Sequence, residues 1–321
     1  MESFVSPRGP FALGAFAAAD GREFAGLVVD GRVRDLTGTG LPRTTRELLA
    51  DWDAVLPRLA GLAAAGDGAW TGLDGLRVLP PVEPRQIFQS GANYRTHVID
   101  LAVAHRSPDD PRSPEEIRSE TAALMDRRAA EDLPYVFIGL PSSITGPYDD
   151  VVVPDWCAKP DWELELAAVI GRPAHRVSEA EALDHVAAYT IANDVTAREA
   201  VFRRDMPEIG TDWLRSKNAP TFTPLGPFLV PSAFVGDPGD LHVRLTVNGT
   251  AYQDESTKDM IFGVARLVSY ISQSARLLPG DLVLTGSPAG NGMHWGRLLA
   301  DGDVMEGSIT GLGVQRNRIV R

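Results

Sequence analysis

Residues 161 to 171 read DWELELAAVIG, a stretch that forces two carboxylates into company. Side chains alternate faces along a strand, so Glu163, Glu165 and Ala167 share one face and Leu164, Leu166 and Ala168 the other. The unbroken apolar run from Ala167 to Ile170 predicts a strand covered on both faces. Like charges pointing the same way in such a place repel, and a cation, a shared proton or solvent at the strand end must offset that. Asp194, in IANDVTARE, follows the strand-like AAYTI where strand gives way to turn. If that strand neighbours the first, three carboxylates converge. An all-oxygen set with open positions suits Mg²⁺ or Mn²⁺, although acidic residues at strand ends are commonly just solvated.

Three further groups could join them. In GANYRTHVID, a helical segment would put His97 and Asp100 three residues apart on one face, with Tyr94 just before them. A carboxylate beside an imidazole raises its basicity and fixes its tautomer, as a general base for water requires; a lone His near an Asp is more often an ordinary surface or capping histidine. Arg198 lies four residues after Asp194, and Lys217 sits in LRSKNAPTFTPLGP. In LTGSPAG, Gly286 and Ser287 belong to a glycine-rich turn whose amides could bind an oxyanion. Singly, each has a bland surface reading.

The elements that must position these residues are legible in outline. Residues 22 to 36 predict two short strands joined at the hairpin-forming Asp30-Gly31, and residues 44 to 66 have helical spacing. Residues 1–80 therefore read as a small N-terminal α+β domain, and the proline-rich 78 to 88 as a stiff connector. Residues 81–321 form the larger domain. Within it, residues 107 to 133 are charged and helical in pattern, opened by a capping box at Ser113-Pro114-Glu115-Glu116 and stopped by Pro134. We read 105–134 as a helical insertion, a solvated excursion or a mobile lid. Beyond 135 short strands dominate, among them YVFIGL, ELELAAVIG, AAYTIANDVT and a hairpin turning at Asn248-Gly249. Two helices interrupt them: EAEALDHVAAY, capped by Ser178 and Glu181, and residues 258 to 278, ended by Pro279-Gly280. The fold class is α+β, mainly β.

The chain of 321 residues is 44% hydrophobic, enough for a sizeable core. A net charge of −12 and the lack of any Lys/Arg cluster argue against nucleic acid or an anionic membrane as partner. The single cysteine, Cys157, excludes an intrachain disulfide framework, fits a reducing compartment, and reads as a small buried hydrophobe. No apolar run reaches the 18 residues a bilayer span needs, and the N-terminus lacks signal-peptide character, so a cytoplasmic location is expected.

In their order, ELELAAVIG, NDVTARE, PGDLVLTGSPAG and DGDVMEGSITGLG resemble the fumarylacetoacetate hydrolase superfamily over roughly three quarters of the chain. The resemblance implies a mixed β-roll catalytic domain, a homodimer, and one Mg²⁺ or Mn²⁺ per subunit held by Glu163, Glu165 and Asp194. It implies a small-molecule 2-oxo acid substrate whose carboxylate and 2-oxo oxygen chelate the ion. His97 and Asp100 fall on the family's His-x-x-Glu dyad, with His97 activating water, while Arg198 and Lys217 would hold carboxylate or enolate oxygen. Tyr94, Gly286 and Ser287 fall beside them as substrate contacts.

The chain departs from the family pattern at several positions. Asp100 is one methylene shorter than the usual glutamate, Val201 replaces a glutamine, Gly139 a lysine, and Ser287 a common threonine. The lost polar contacts point to a substrate larger or more apolar than acetopyruvate or oxaloacetate, with Arg203, Arg204 or Trp213 as candidate replacements. The leading expectation is a metal-dependent hydrolase of a 1,3-dicarbonyl 2-oxo acid. The alternatives are a decarboxylase, or a hydratase or tautomerase of an oxo-enoate, on the same site, and a metal-bound scaffold without chemistry.

Overall fold

The strand Leu164–Ile170 lies inside the main sheet, and all seven of its residues are buried. Its two faces feed two cores. Leu164, Leu166, Ala168 and Ile170 pack with Ile191, Leu245 and Met305, whereas Ala167 and Val169 pack with Leu13, Leu27, Leu48 and Leu284. The apolar run is thus covered on both sides, as its composition requires.

A computed structural model describes residues 7–321 apart from 105 and 108. Its six-stranded sheet has the order Val230–Pro231, Val186–Asn193, Leu164–Ile170, Leu282–Leu284, Ile87–Gly91, Tyr135–Gly139. Neighbours run antiparallel except Leu282–Leu284 with Ile87–Gly91. A second sheet, Thr250–Ser256, His242–Val247, Val304–Ile309, Gly313–Val320 and Val151–Val152, shares the larger core. Close approach of the two sheets needs Gly307, because a Cβ there would come within 2.5 Å of Leu164. The mixed sheets match the expected α+β class and β-roll.

Toward the N-terminus, Thr71–Gly72, Arg32–Asp35, Glu23–Val29, Ala12–Ala17 and Arg77–Leu79 form an antiparallel sheet. Its apolar face packs with the helices Thr45–Ala50 and Trp52–Ala65 into the second core, against the main sheet. Asp30 and Gly31 both take positive φ, as the expected hairpin demands. Residues 1–6 of the N-terminal unit lie outside the described residues.

Several helices are shorter than their patterns predict. The 44 to 66 stretch breaks at Asp51, which caps one helix and opens the next. The capping box at Ser113 is fully formed, and its helix runs Pro114–Glu131; positions 105 and 108 of the insertion lie outside the described residues. EAEALDHVAAY was expected to be one helix but yields only Glu179–Ala182 and a 3₁₀ turn to His185, because Val186 onward is taken into the main sheet. Pairing with Leu164–Ile170 outweighs local helical propensity there. The helix expected over 258 to 278 spans Val264–Ser274, with Gly263 as its N-cap.

Among the described residues no helix is long and apolar enough to cross a membrane. Cys157 is free and buried, and burial pushes its thiol up to about 11, in keeping with a packing role. Truncating the wholly buried Leu166 to alanine should cost about 2–5 kcal/mol in a urea unfolding series. A loss below about 1 kcal/mol would show that this strand is not the heart of the core.

Candidate active site

Register brings the carboxylates together. Leu164 pairs with Asn193 and Glu165 with Ala192, and the Asp194 amide donates to the Glu163 carbonyl at 2.8 Å. Glu163, Glu165 and Asp194 therefore project from one face at the end of two paired strands, with ligand oxygens all within 4.8 Å of one another. All three are buried.

Two cations answer them. Lys217 Nζ donates to Glu163 Oε2 and Asp194 Oδ2, each at 2.5 Å. Arg198 reaches Glu163 Oε1 at 2.6 Å and donates through Nε to Asp161 Oδ2 at 2.7 Å. Burial alone would raise the Glu163 carboxyl, but Arg198 and Lys217 override it and hold it low. Glu165 gains less relief: burial, then repulsion from Asp194 and Glu163, outweighs Lys217 and the Gly286 amide and raises it well above the usual carboxylate range. Burial raises Asp194 as well, with Lys217 offsetting only part. For Lys217 the penalty of burial is outweighed by Asp194 and Glu163, so it stays charged.

Glu163, Asp194, Arg198 and Lys217 line a cavity of about 430 Å³ together with His97 and Ser287 and with the apolar side chains of Tyr135, Phe137, Val201, Phe202, Trp213 and Met293. His97 projects into it from the helix Arg95–Ala104, with Leu101 one turn on. Burial pushes the imidazole down to about 4, against the opposing pull of Glu163, so it is neutral at pH 7. The helix Pro114–Glu131 packs against Arg95–Ala104 and supplies no lining residue.

Some expected partners are placed elsewhere. Asp100 does not hydrogen-bond His97; it accepts from Arg118 at 2.9 Å and lies 4.0 Å from His294. Its short side chain, on a helix face that meets Pro114–Glu131, favours the arginine. Tyr94, expected as a substrate contact, is wholly buried and is not among the residues lining the cavity. The Gly286 amide is spent on Glu165 Oε2, at 2.8 Å, so it orients a carboxylate where an oxyanion contact was expected. Ser287 does line the cavity, and its hydroxyl accepts from Gln253 Nε2 at 2.9 Å. Gly139 lies against the Gln89 side chain, which a Cβ would meet at 2.6 Å. Of the candidate replacements, Trp213 lines the cavity, Arg203 is paired with Asp205 and Asp212, and neither Arg203 nor Arg204 reaches the lining.

Sequence reasoning passed over Asp161. Wholly buried, it accepts from Arg198 and from the backbone amides of Gly292 at 2.6 Å and Met293 at 3.2 Å, tying the arginine to the turn beneath Met293. The signal was present, since Asp161 stands two residues before Glu163 in the same alternation. Ser90, which lines the cavity with a buried hydroxyl lacking a partner among the described residues, carries no such signal.

The donor set fits a divalent cation. Three carboxylates supply only oxygen ligands, Asp194 Oδ1 is buried without a hydrogen-bond partner among the described residues, and Glu165 lacks any cation of its own. Residues 86–320 match the family model described as fumarylacetoacetate (FAA) hydrolase C-terminal. The chain belongs to the fumarylacetoacetate hydrolase family, whose enzymes use divalent metals. It is 38% identical over 307 residues to a 2,4-didehydro-3-deoxy-L-rhamnonate hydrolase of Sphingomonas sp. (strain SKA58), covering 93% of each chain. A mitochondrial oxaloacetate tautomerase of Homo sapiens is 41% identical over 189 residues, 58% of this chain and 59% of that one. Among solved structures, a 2-hydroxyhepta-2,4-diene-1,7-dioate isomerase from Mycobacterium marinum superposes with a TM-score of 0.68 at 30% identity, over 97% of this chain and 98% of its own.

In chelator, Glu165→Gln should melt no lower than the native protein, because it removes a carboxyl that burial and repulsion already disfavour as a charge. The stabilisation by Mn²⁺, about 2.7 kcal/mol at a hundredfold excess over Kd, should disappear. An undiminished Mn²⁺-induced rise in Tm would remove Glu165 from the ligand set. Asp161→Asn leaves a buried Arg198 contact half met and should cost about 3 kcal/mol in denaturant unfolding; a loss under about 0.5 kcal/mol would show the pair to be dispensable.

Proposed function

We propose that this chain is a divalent-metal-dependent hydrolase of a C–C bond in a small-molecule 2-oxo acid bearing a 1,3-dicarbonyl. The observation that carries the reading is a neutral, buried His97 opening onto the same cavity as the carboxylate cluster. A base that must take a proton from water at neutral pH has to be unprotonated and within a sheltered pocket, and His97 meets both conditions.

An Mg²⁺ or Mn²⁺ held by Glu163, Glu165 and Asp194 would supply Lewis-acid stabilisation of negative charge developing on the 2-oxo acid. His97 takes one proton from water, and the resulting hydroxide adds to the distal carbonyl carbon. The bond between that carbon and the central methylene breaks, the distal fragment leaves as a carboxylic acid, and His97 returns its proton to the methylene carbon. Arg198 and Lys217 face the substrate's carboxylate and oxo oxygens and offset their charge. Asp161 keeps the Arg198 guanidinium from turning away. The homodimer implied by the resemblance is part of this proposal, and sedimentation showing only monomer would remove it.

A second reading is a tautomerase or decarboxylase on the same site. Asp100 turned to Arg118, away from His97, favours it, as does the likeness to an oxaloacetate tautomerase. Neither reaction needs water to attack a second carbonyl. His97→Ala should therefore lower acylpyruvate hydrolysis by about 10²–10⁴-fold in kcat while decarboxylation of oxaloacetate falls far less. Equal losses in both reactions, or hydrolysis surviving intact, would sink the hydrolase reading.

A further inference from the structure

The cavity's charge balance and its walls say what the far end of the substrate is. Among the described residues its lining holds two cations, Arg198 and Lys217, and both are already matched to buried carboxylates. Asp161, Glu163, Glu165 and Asp194 outnumber them two to one, so a divalent ion would bring the floor only to neutrality. The substrate's own 1-carboxylate is then the one anion in excess. A second carboxylate at the distal end would meet no further cation of the lining and would lie against apolar side chains.

The walls carry the complementary message. Trp213 and Lys217 stand at i and i+4 of one short helix, so they share a face about 6 Å apart along its axis. That spacing sets the half-buried indole one turn outward from the buried ammonium. Trp213 stacks on Phe137 with ring centroids 4.4 Å apart and planes at 16°, and its Nε1 donates to Tyr135 Oη at 2.6 Å. Phe137 continues inward to Lys217, whose Nζ is 5.9 Å from its ring. The wall is continuous, aromatic and held in place, with Val201 beside it.

We propose that the substrate is a monoanionic 2-oxo acid with a flat apolar acyl group at its far end, best an aryl ring, and that Trp213, Phe137 and Val201 select it over diacids. This rests on the 2-oxo-acid reading above. In place of the polar contacts that Gly139 and Val201 lack, the site offers a stacking surface.

The test compares 4-phenyl-2,4-dioxobutanoate with 2,4-dioxohexanedioate on the Mn²⁺-loaded protein, by kcat/KM and by calorimetric Kd, with oxalate as a probe of the shared head group. The phenyl compound should be preferred at least tenfold. Trp213→Ala should erase about tenfold of that preference while oxalate binding is kept, and Val201→Arg should shift preference toward the diacid. Circular dichroism checks that both variants fold, and the arginine variant carries the test if the alanine one does not. Oxalate binding together with equal or better use of the diacid overturns the inference and leaves the 2-oxo-acid site standing. Failure of oxalate to bind the Mn²⁺-loaded native protein overturns both.

Discussion

The site depends on an imbalance of charge taken out of water. Four carboxylates are buried around two cations, and the strand register gives the carboxylates no way to separate. Withdrawing each ion from water costs several kcal/mol, while an opposite charge at about 4 Å returns about 4 kcal/mol in partly dry surroundings. Glu163, touched by both Lys217 and Arg198, is compensated; Glu165, touched by neither, is not. The cluster therefore requires a further positive charge or a retained proton, and the rest of the pocket is arranged around that requirement.

Rigid backbone holds the imbalance in place. Glu163 and Asp194 are fixed by a backbone hydrogen bond between paired strands, Glu165 by the Gly286 amide, and Arg198 by Asp161. Each support comes from a different strand or turn, so no single loop movement can relieve the repulsion. His97 is different. It stands on a helix tied to its surroundings by Thr96 with Asp259 and by two ion pairs, Arg95 with Asp126 and Asp100 with Arg118. The exposed Arg95–Asp126 pair contributes about 0–1 kcal/mol, so the helix that carries the base is held chiefly by its buried face and by the Thr96 contacts.

The acidic triad could be read from the chain because strand alternation fixes faces without knowledge of tertiary structure. Glu163 and Glu165 followed from that rule alone, and the same rule, applied to the first residue of DWELELAAVIG, would have added Asp161. Whether Asp194 joined them depended on which strands pair, which the family resemblance supplied. The partners of Tyr94, Gly286 and Asp100 were not legible for one reason: short motifs give a residue's neighbourhood but not the direction in which its groups point. Gly286 stands next to Ser287 of the cavity lining, yet its amide faces Glu165. The helix expected through EAEALDHVAAY failed where a buried strand position outweighed a helical pattern.

The N-terminal unit has an electrostatic role that its sequence does not announce. The face of Leu164–Ile170 that carries Glu165 continues into Ala167 and Val169, and these pack with Leu13, Leu27 and Leu48 of that unit and its helices. Ala192, opposite Glu165, and Leu284, opposite Ala167, are buried in the same core. Water is thereby kept from the rear of the carboxylates, and the dielectric that makes their repulsion strong is set by a unit carrying none of the reacting groups. Loosening that packing would let solvent reach Glu165 and screen it, weakening the demand for a cation before any ligand was touched.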